Sequence, residues 1–458
     1  MGAMTRRLLG IAVLAMASAA LLAPVASAAS FASFGTPTAS GSFGQDIVFR
    51  QPVTVDRPIG KAELLVTFAD AIGPTVIEAV APTGTGALEL GYTFKLADQG
   101  HLLPNTPLTA SWRIAPTDDP TATVTGPTTK VVYADERFDW RTKNGKVVRV
   151  HWYEGDDGFG QRALEIGEKA VEKAAALLGV TETKPVDFFI YADQKSFYDA
   201  LGPGTRENVG GQADSEIRTL FALIQPSEIN DAWVEAVIPH ELTHLVFNTA
   251  VENPYHFPPR WLNEGLAVYE SEGFKTADRG DVVAAAKDGS LIPLTGLTGQ
   301  FPTTGDRFRL AYSESVSAVD YLVRTNGKDA LVGLIKSYAD GRTDDEAFQS
   351  AIGLSMSAFS DAWLADYGAT PPTRTGPQPP PAGPVPSSWT DVGPVPGTSS
   401  SAGPAAPAAT SSATASAAPS NGSSSSGASG LLAPIIVLGV VITLVAVFVA
   451  RRRRDAGT

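Results

Sequence analysis

The chain is 458 residues long, 43% hydrophobic and 18% charged, with no cysteine and a formal net charge of −13. That length accommodates two ordinary domains with large cores. The missing thiols exclude disulfide stapling, cysteine zinc fingers and thiol catalysis, and the acidic balance argues against nucleic acid as a partner.

Residues 1–28 carry Arg6 and Arg7, then an uncharged apolar stretch from Leu8 to Val25, then Ala26-Ser27-Ala28. This is the pattern of a secretory signal peptide with an A-x-A cleavage site. From Phe31 to about Tyr133 short alternating apolar runs, such as Leu64 to Phe68, Leu88 to Leu96 and Leu108 to Ile114, are separated by Gly, Pro, Asp and Thr. Several short strands at such spacing predict an all-β, immunoglobulin-like sandwich over residues 30–134. His101 is its only histidine and is expected at the surface.

Residues 135–368 read as a mixed α and β domain, giving an α+β chain. Strands are predicted at Val147 to Tyr153 and Val186 to Tyr191, and helices at Gln161 to Leu178 and Ser196 to Leu201. Gly210-Gly211 precedes Thr219 to Ile224, predicted as an edge strand. A helix is expected from about Asp231 to Asn248, where Pro239 would kink it or delay its start. Tyr312 to Val323, Asp329 to Tyr338, Asp345 to Ala351 and Ser357 to Tyr367 all have helical spacing of apolar residues.

Residues 369–430 are dominated by Pro, Ala, Ser, Gly and Thr, with Arg374 and Asp391 the only charges; such a segment is expected to be a disordered stalk. Leu431 to Ala450 is uncharged over twenty residues, enough to cross a hydrocarbon core of roughly 30 Å. Arg451 to Arg454 open a basic tail, 451–458, that would stay in the cytoplasm, leaving the rest of the chain outside a cell membrane crossed once. Without the two ends, 29 basic side chains face 47 acidic ones, which weakly disfavours strongly acidic substrates.

His240, Glu241, Leu242, Thr243 and His244 form an HExxH stretch, and Glu264 lies twenty positions beyond His244 within Trp261-Leu262-Asn263-Glu264-Gly265-Leu266-Ala267. Two histidines four apart on a helix share a face, so both imidazoles can reach one ion. A catalytic zinc takes three protein ligands and keeps a position for water, and Glu264 is placed to complete the set. Glu241, beside a ligand but pointing elsewhere, is left free to take a proton from that water and pass it to a leaving amine. The chemistry these parts imply is hydrolysis of a peptide bond in a peptide or protein substrate. Tyr312 is the candidate donor to the oxyanion, with a packed tyrosine as the alternative. His256 is expected at the cleft rim, His151 in a packing or surface role, and Glu270 or Glu272 as partners that orient a ligand histidine.

These two motifs resemble the gluzincin zinc metallopeptidases, and in particular the bacterial peptidase MA-like proteins, over roughly Glu136 to Tyr367. Val209-Gly210-Gly211 and Tyr312-Ser313-Glu314-Ser315 support the likeness loosely. The resemblance implies a thermolysin-like zincin domain, zinc at His240, His244 and Glu264, Glu241 as the base, and a strand at Thr219 to Ile224 that pairs with extended substrate. Two departures set this chain apart from gluzincin aminopeptidases. Nineteen residues rather than eighteen separate His244 from Glu264, and Gly211-Gln212-Ala213-Asp214 stands where those enzymes carry Gly-x-Met-Glu-Asn, whose glutamate holds the substrate amine. An endopeptidase is therefore expected. An aminopeptidase, or a catalytically silent scaffold that binds partners at the cell surface, are the alternatives.

Overall fold

In the computed structural model residues 30–69, 71–202, 210–253 and 257–371 are described. The chain is a mixed α and β structure that divides into two compact units, one ending at Arg137 and the other beginning at Phe138.

The first unit is built from β1 (Ala32–Phe34), β2 (Thr38–Ser42), β3 (Asp46–Val55), β4 (Ile59–Phe68), β5 (Thr75–Ala79), β6 (Gly86–Lys95), β7 (Thr106–Pro116), β8 (Val124–Thr125) and β9 (Thr129–Tyr133), with a single short helix α1 (Leu96–Gln99). All its pairings are antiparallel. β3 carries β1 and β2 along one edge and β6 along the other, while β4 and β7 form the centre of a second sheet with β5, β8 and β9. Period-two alternation puts Ile47, Phe49, Leu64, Val66, Leu90, Leu108, Trp112 and Ile114 into one shared core, which is how two half-polar sheets hide their apolar faces.

In the second unit five strands, β10 (Arg141–Asn144), β11 (Val148–Trp152), β12 (Val186–Tyr191), β13 (Gly211–Asp214) and β14 (Thr219–Leu223), lie in the order β10-β11-β12-β14-β13. β11, β12 and β14 run parallel, and β10 and β13 are antiparallel edges. Parallel neighbours need a crossover. Helix α2 (Asp157–Leu178) supplies the first, capped by Asp156, whose side chain accepts from Phe159 N, and closed by Gly179 at φ 59°. Helix α3 (Gln194–Leu201) lies in the second, between β12 and β14.

Thr219 to Ile224 is not the edge strand expected from the sequence. β14 is paired on both sides, and β13 forms the rim. Asp214 explains the reversal: its Oδ1 accepts from Glu216 N at 3.0 Å and Ile217 N at 3.1 Å, closing a turn that folds Gly211–Asp214 back along β14.

The remainder is helical: α4 (Val234–Val251), α5 (Arg260–Ser271), α6 (Thr276–Asp288), α7 (Gly305–Asn326), α8 (Lys328–Ser337), α9 (Asp344–Ile352) and α10 (Met356–Asp366). Pro239 lies inside α4, which begins at Val234, so of the two expectations, a kink or a late start, the late start does not occur. The Thr243 hydroxyl donates to Pro239 O at 2.7 Å. Among the described residues no helix is long and apolar enough to cross a membrane. Residues 1–28, 372–458 and His256 lie outside the described residues, so the signal peptide, most of the stalk and the span at Leu431 to Ala450 do too.

Candidate metal centre

Helix α4 is apolar on nearly every side and is buried between α2, α5 and β13. A helix without a polar face belongs in a core, and it carries His240, Glu241 and His244 in with it, each at most 2% exposed. The two imidazoles stand one turn apart, with ring centroids separated by 4.7 Å. Helix α5 crosses alongside and brings Glu264, which has no exposed surface. Its Oε2 lies 3.6 Å from His240 Nε2 and 3.7 Å from His244 Nε2.

These three atoms, together with Glu241 Oε1, are buried and have no hydrogen-bond partner. An unsatisfied buried polar atom costs roughly 1–3 kcal/mol, so the three that converge within 4.8 Å of one another, on His240, His244 and Glu264, call for something to satisfy them. Donors 2.0–2.1 Å from a tetrahedral zinc would be separated by about 3.3 Å, close to the spacing found. Burial pushes His240 and His244 down to about 3, which leaves both imidazoles neutral, the form that donates a lone pair to metal. The residues present therefore fit zinc, and His240, His244 and Glu264 are the set that can hold it.

Glu241 is oriented by the sheet. Its Oε2 accepts from Ala213 N on the free edge of β13 at 3.0 Å. The strand comes this close because Gly211 has no side chain: a Cβ there would stand 3.1 Å from Glu241 Cγ and 3.3 Å from Val237 Cγ2. Burial and the neighbouring Glu264 carboxylate push the Glu241 carboxyl well above its ordinary range, opposed by the Ala213 hydrogen bond.

The partners of the ligands differ from those expected. Asn263, not Glu270 or Glu272, faces His244: its Oδ1 is 2.9 Å from His244 Nδ1, so this ring nitrogen carries the hydrogen and Nε2 is left for metal. Glu270 pairs with Lys173 at 3.2 Å and Glu272 with Lys275. Arg260, one turn before Glu264, donates from Nε to Glu264 Oε1 at 3.1 Å. Tyr312 lies two turns into α7 rather than at its head. Burial, and the Glu264 carboxylate beside it, push its hydroxyl well above the usual phenol range, and the hydroxyl also interacts with Arg260. His151 is engaged on the sheet, 2.8 Å from Asp187 Oδ1 and 2.9 Å from Thr142 Oγ1, stacked on Phe189; His101 lies in the first unit, at the surface.

Ala213, Asn263 and Arg260 were not singled out in the sequence. Arg260 has one available signal, its position four before a ligand on the same helix.

Residues 166–367 match the family model described as the Peptidase MA superfamily. No curated protein matches this sequence. Among solved structures, the chain is similar to an M1 zinc metallopeptidase from Deinococcus radiodurans at 13% identity, covering 75% of this chain and 94% of that one with a TM-score of 0.32. It is also similar to an aminopeptidase N family protein from Idiomarina loihiensis at 10% identity, covering 72% and 73% with a TM-score of 0.35. At similarity this low, the reading of the chain rests on the ligand geometry and the superfamily match.

Proposed function

We propose that this chain, a zinc metallopeptidase whose residues 166–367 belong to the Peptidase MA superfamily, hydrolyses peptide bonds in extended substrates with Glu241 as the general base. The observation that carries the proposal is the convergence of His240 Nε2, His244 Nε2 and Glu264 Oε2, all buried and all without a partner.

Zinc held there would polarise the scissile carbonyl and make a water acidic enough to attack near neutral pH. The protein's own groups do the rest. Glu241 Oε1 has no partner and takes the proton of the attacking water, while Oε2 stays fixed on Ala213 N. The same carboxyl then delivers the proton to the amide nitrogen as it leaves. The substrate main chain is assigned to the rim of the sheet, where Gly211 and Ala213 of β13 face outward because Gly210 O accepts from Leu223 N on the inner side at 2.9 Å. An extended peptide pairing with that rim lies directly over Glu241. The Tyr312 hydroxyl remains the proposed oxyanion donor, released from Glu264 when substrate enters.

Two modes of cleavage use this machinery. The first is trimming from a free N-terminus. The second is cleavage within a chain, favoured by Asp214: its Oδ1 is engaged in the β13–β14 turn, and Ala213 beside it carries no acid with which to hold a substrate amine. The remaining features belong to the same proposal: a thermolysin-like arrangement of the second unit, an immunoglobulin-like first unit, export directed by residues 1–28, and anchoring by Leu431 to Ala450.

Mass-spectrometric mapping of cuts in a diverse peptide mixture tests the function, using the zinc-loaded full-length chain beside Glu241→Gln. The variant is expected to keep its zinc and lose all cuts. Ladders from N-termini would establish the first mode and internal cuts the second. Cuts that persist in the variant would overturn the role of Glu241, and none from the folded, loaded protein would leave a silent scaffold.

A further inference from the structure

We infer that Arg260 is a positioning residue for the metal: its guanidinium holds Glu264 Oε1 so that only Oε2 is presented to the ion. The inference rests on the zinc reading above and assigns a role to a residue outside the ligand set. A carboxylate on a flexible stem can bind an ion through one oxygen or both, and can rotate between the two. Here its oxygens are divided. Oε1 accepts from Arg260 Nε at 3.1 Å, while Oε2 faces the two imidazoles and has no partner.

The guanidinium is itself held. It lies over the Phe301 ring with 4.8 Å to the centroid, and Phe301 stands edge-on to Tyr312 at 5.3 Å. The backbone below it is pinned to the segment that carries Phe301, since Arg260 N donates to Thr298 O at 2.8 Å and Trp261 N to Leu297 O at 3.1 Å. The Arg260 side chain is only 18% exposed. A planar, permanently charged donor seated on an aromatic ring can fix an acceptor's direction where a mobile lysine could not.

The sign of the effect separates positioning from simple charge. A cation beside a divalent ion repels it, so by Coulomb's law alone removing Arg260 would tighten zinc binding. A positioning role predicts the opposite, because loss of an outer partner of a ligand typically costs roughly 10–100-fold in metal affinity.

The test is zinc affinity of the full-length chain by competition with a chromogenic chelator, together with the visible spectrum of the cobalt-substituted protein, which reports coordination number. Wild type is measured first: if it fails to bind zinc, the proposed function itself fails and this inference with it. Given a zinc-binding wild type, Arg260→Gln is expected to bind about 10–100-fold more weakly and to give a weaker cobalt spectrum as the second carboxylate oxygen enters. Arg260→Lys, which keeps the repelling charge but lacks the planar fork, should stay as weak as Arg260→Gln or weaker, and wild-type affinity in it would likewise overturn the inference. Wild-type or tighter affinity with an unchanged spectrum in Arg260→Gln would overturn the inference. Should that variant not fold, Phe301→Leu removes the ring beneath the guanidinium without touching Glu264. Weakened zinc binding then supports the role, and unchanged binding overturns it.

Discussion

Glu314 places an acid where no water reaches it. The residue has no exposed surface, its Oε1 accepts from Ile292 N at 3.0 Å and its Oε2 has no partner. Burial pushes its carboxyl up to about 8, opposed by the Ile292 hydrogen bond and the Arg307 charge. Because the folded protein holds this proton more tightly than the unfolded chain, the associated stability is complete below about pH 4.5 and is lost as pH rises to about 8. A shift of that size corresponds to a few kcal/mol. Glu314→Gln should therefore melt near wild type at pH 4.5 and above it at pH 8.5, as read by circular dichroism; equal melting temperatures at both values would show that the acid is not protonated in the fold. At this scale the sequence disclosed the relations that spacing within one helix imposes: His240, Glu241 and His244 are joined by a fixed periodicity, and Glu264 by its motif. Asn263 is not legible because its contact with His244 depends on how α4 and α5 cross, whereas the spacing of Arg260 and Glu264 on α5 is legible but does not show which carboxylate oxygen the guanidinium takes. Glu270 and Glu272 were plausible partners by proximity in sequence, but they point toward Lys173 and Lys275.

Helices α5 and α7 pack closely at Gly265. A Cβ there would meet Ser315 O at 2.4 Å, Ser315 C at 2.7 Å and Val319 Cγ2 at 2.9 Å. Backbone cannot give way as a side-chain tip can, so Gly265→Ala is expected to cost about 1–3 kcal/mol of stability. Because Gly265 comes directly after Glu264, the variant should also bind zinc more weakly. Urea unfolding with and without metal checks both effects, and a wild-type midpoint would show that the helices separate at no cost. The long helices after Tyr312 were readable because their apolar residues recur with the helical period. The elements without a sequence expectation include α5, α6 and β13. α5 comes after a stretch rich in proline, α5 and α6 are both interrupted by glycine and charge, and β13 has four residues, two of them polar. Thr219 to Ile224 was read as a strand, but an edge or an interior position is decided by a neighbour that the turn at Asp214 supplies.

The two units have separate cores, and the ligands of the metal centre all lie in the second. Zinc bound to the folded protein alone adds about 2.7 kcal/mol when free metal is a hundredfold above its dissociation constant. For a unit of some two hundred residues that corresponds to a melting shift of roughly 5–10 °C. Calorimetry of the full-length chain is thus expected to show two transitions, of which chelation lowers only the one that belongs to residues from Phe138 onward. A shift in both, or in neither, would contradict a structural contribution confined to that unit.

The hydrogen bond from Ala213 N to Glu241 Oε2 ties the rim of the sheet to the acid proposed as the general base. Two ways of silencing the protein are consequently not equivalent. An amide at position 241 retains an oxygen acceptor for Ala213, so the rim keeps its place and an inert protein can still capture what it would have cut. An alanine at that position removes the tether along with the proton carrier and leaves a buried backbone N–H unsatisfied, at a cost of roughly 1–3 kcal/mol. As bait for retrieving natural substrates, only the amide form preserves the surface on which they would be held.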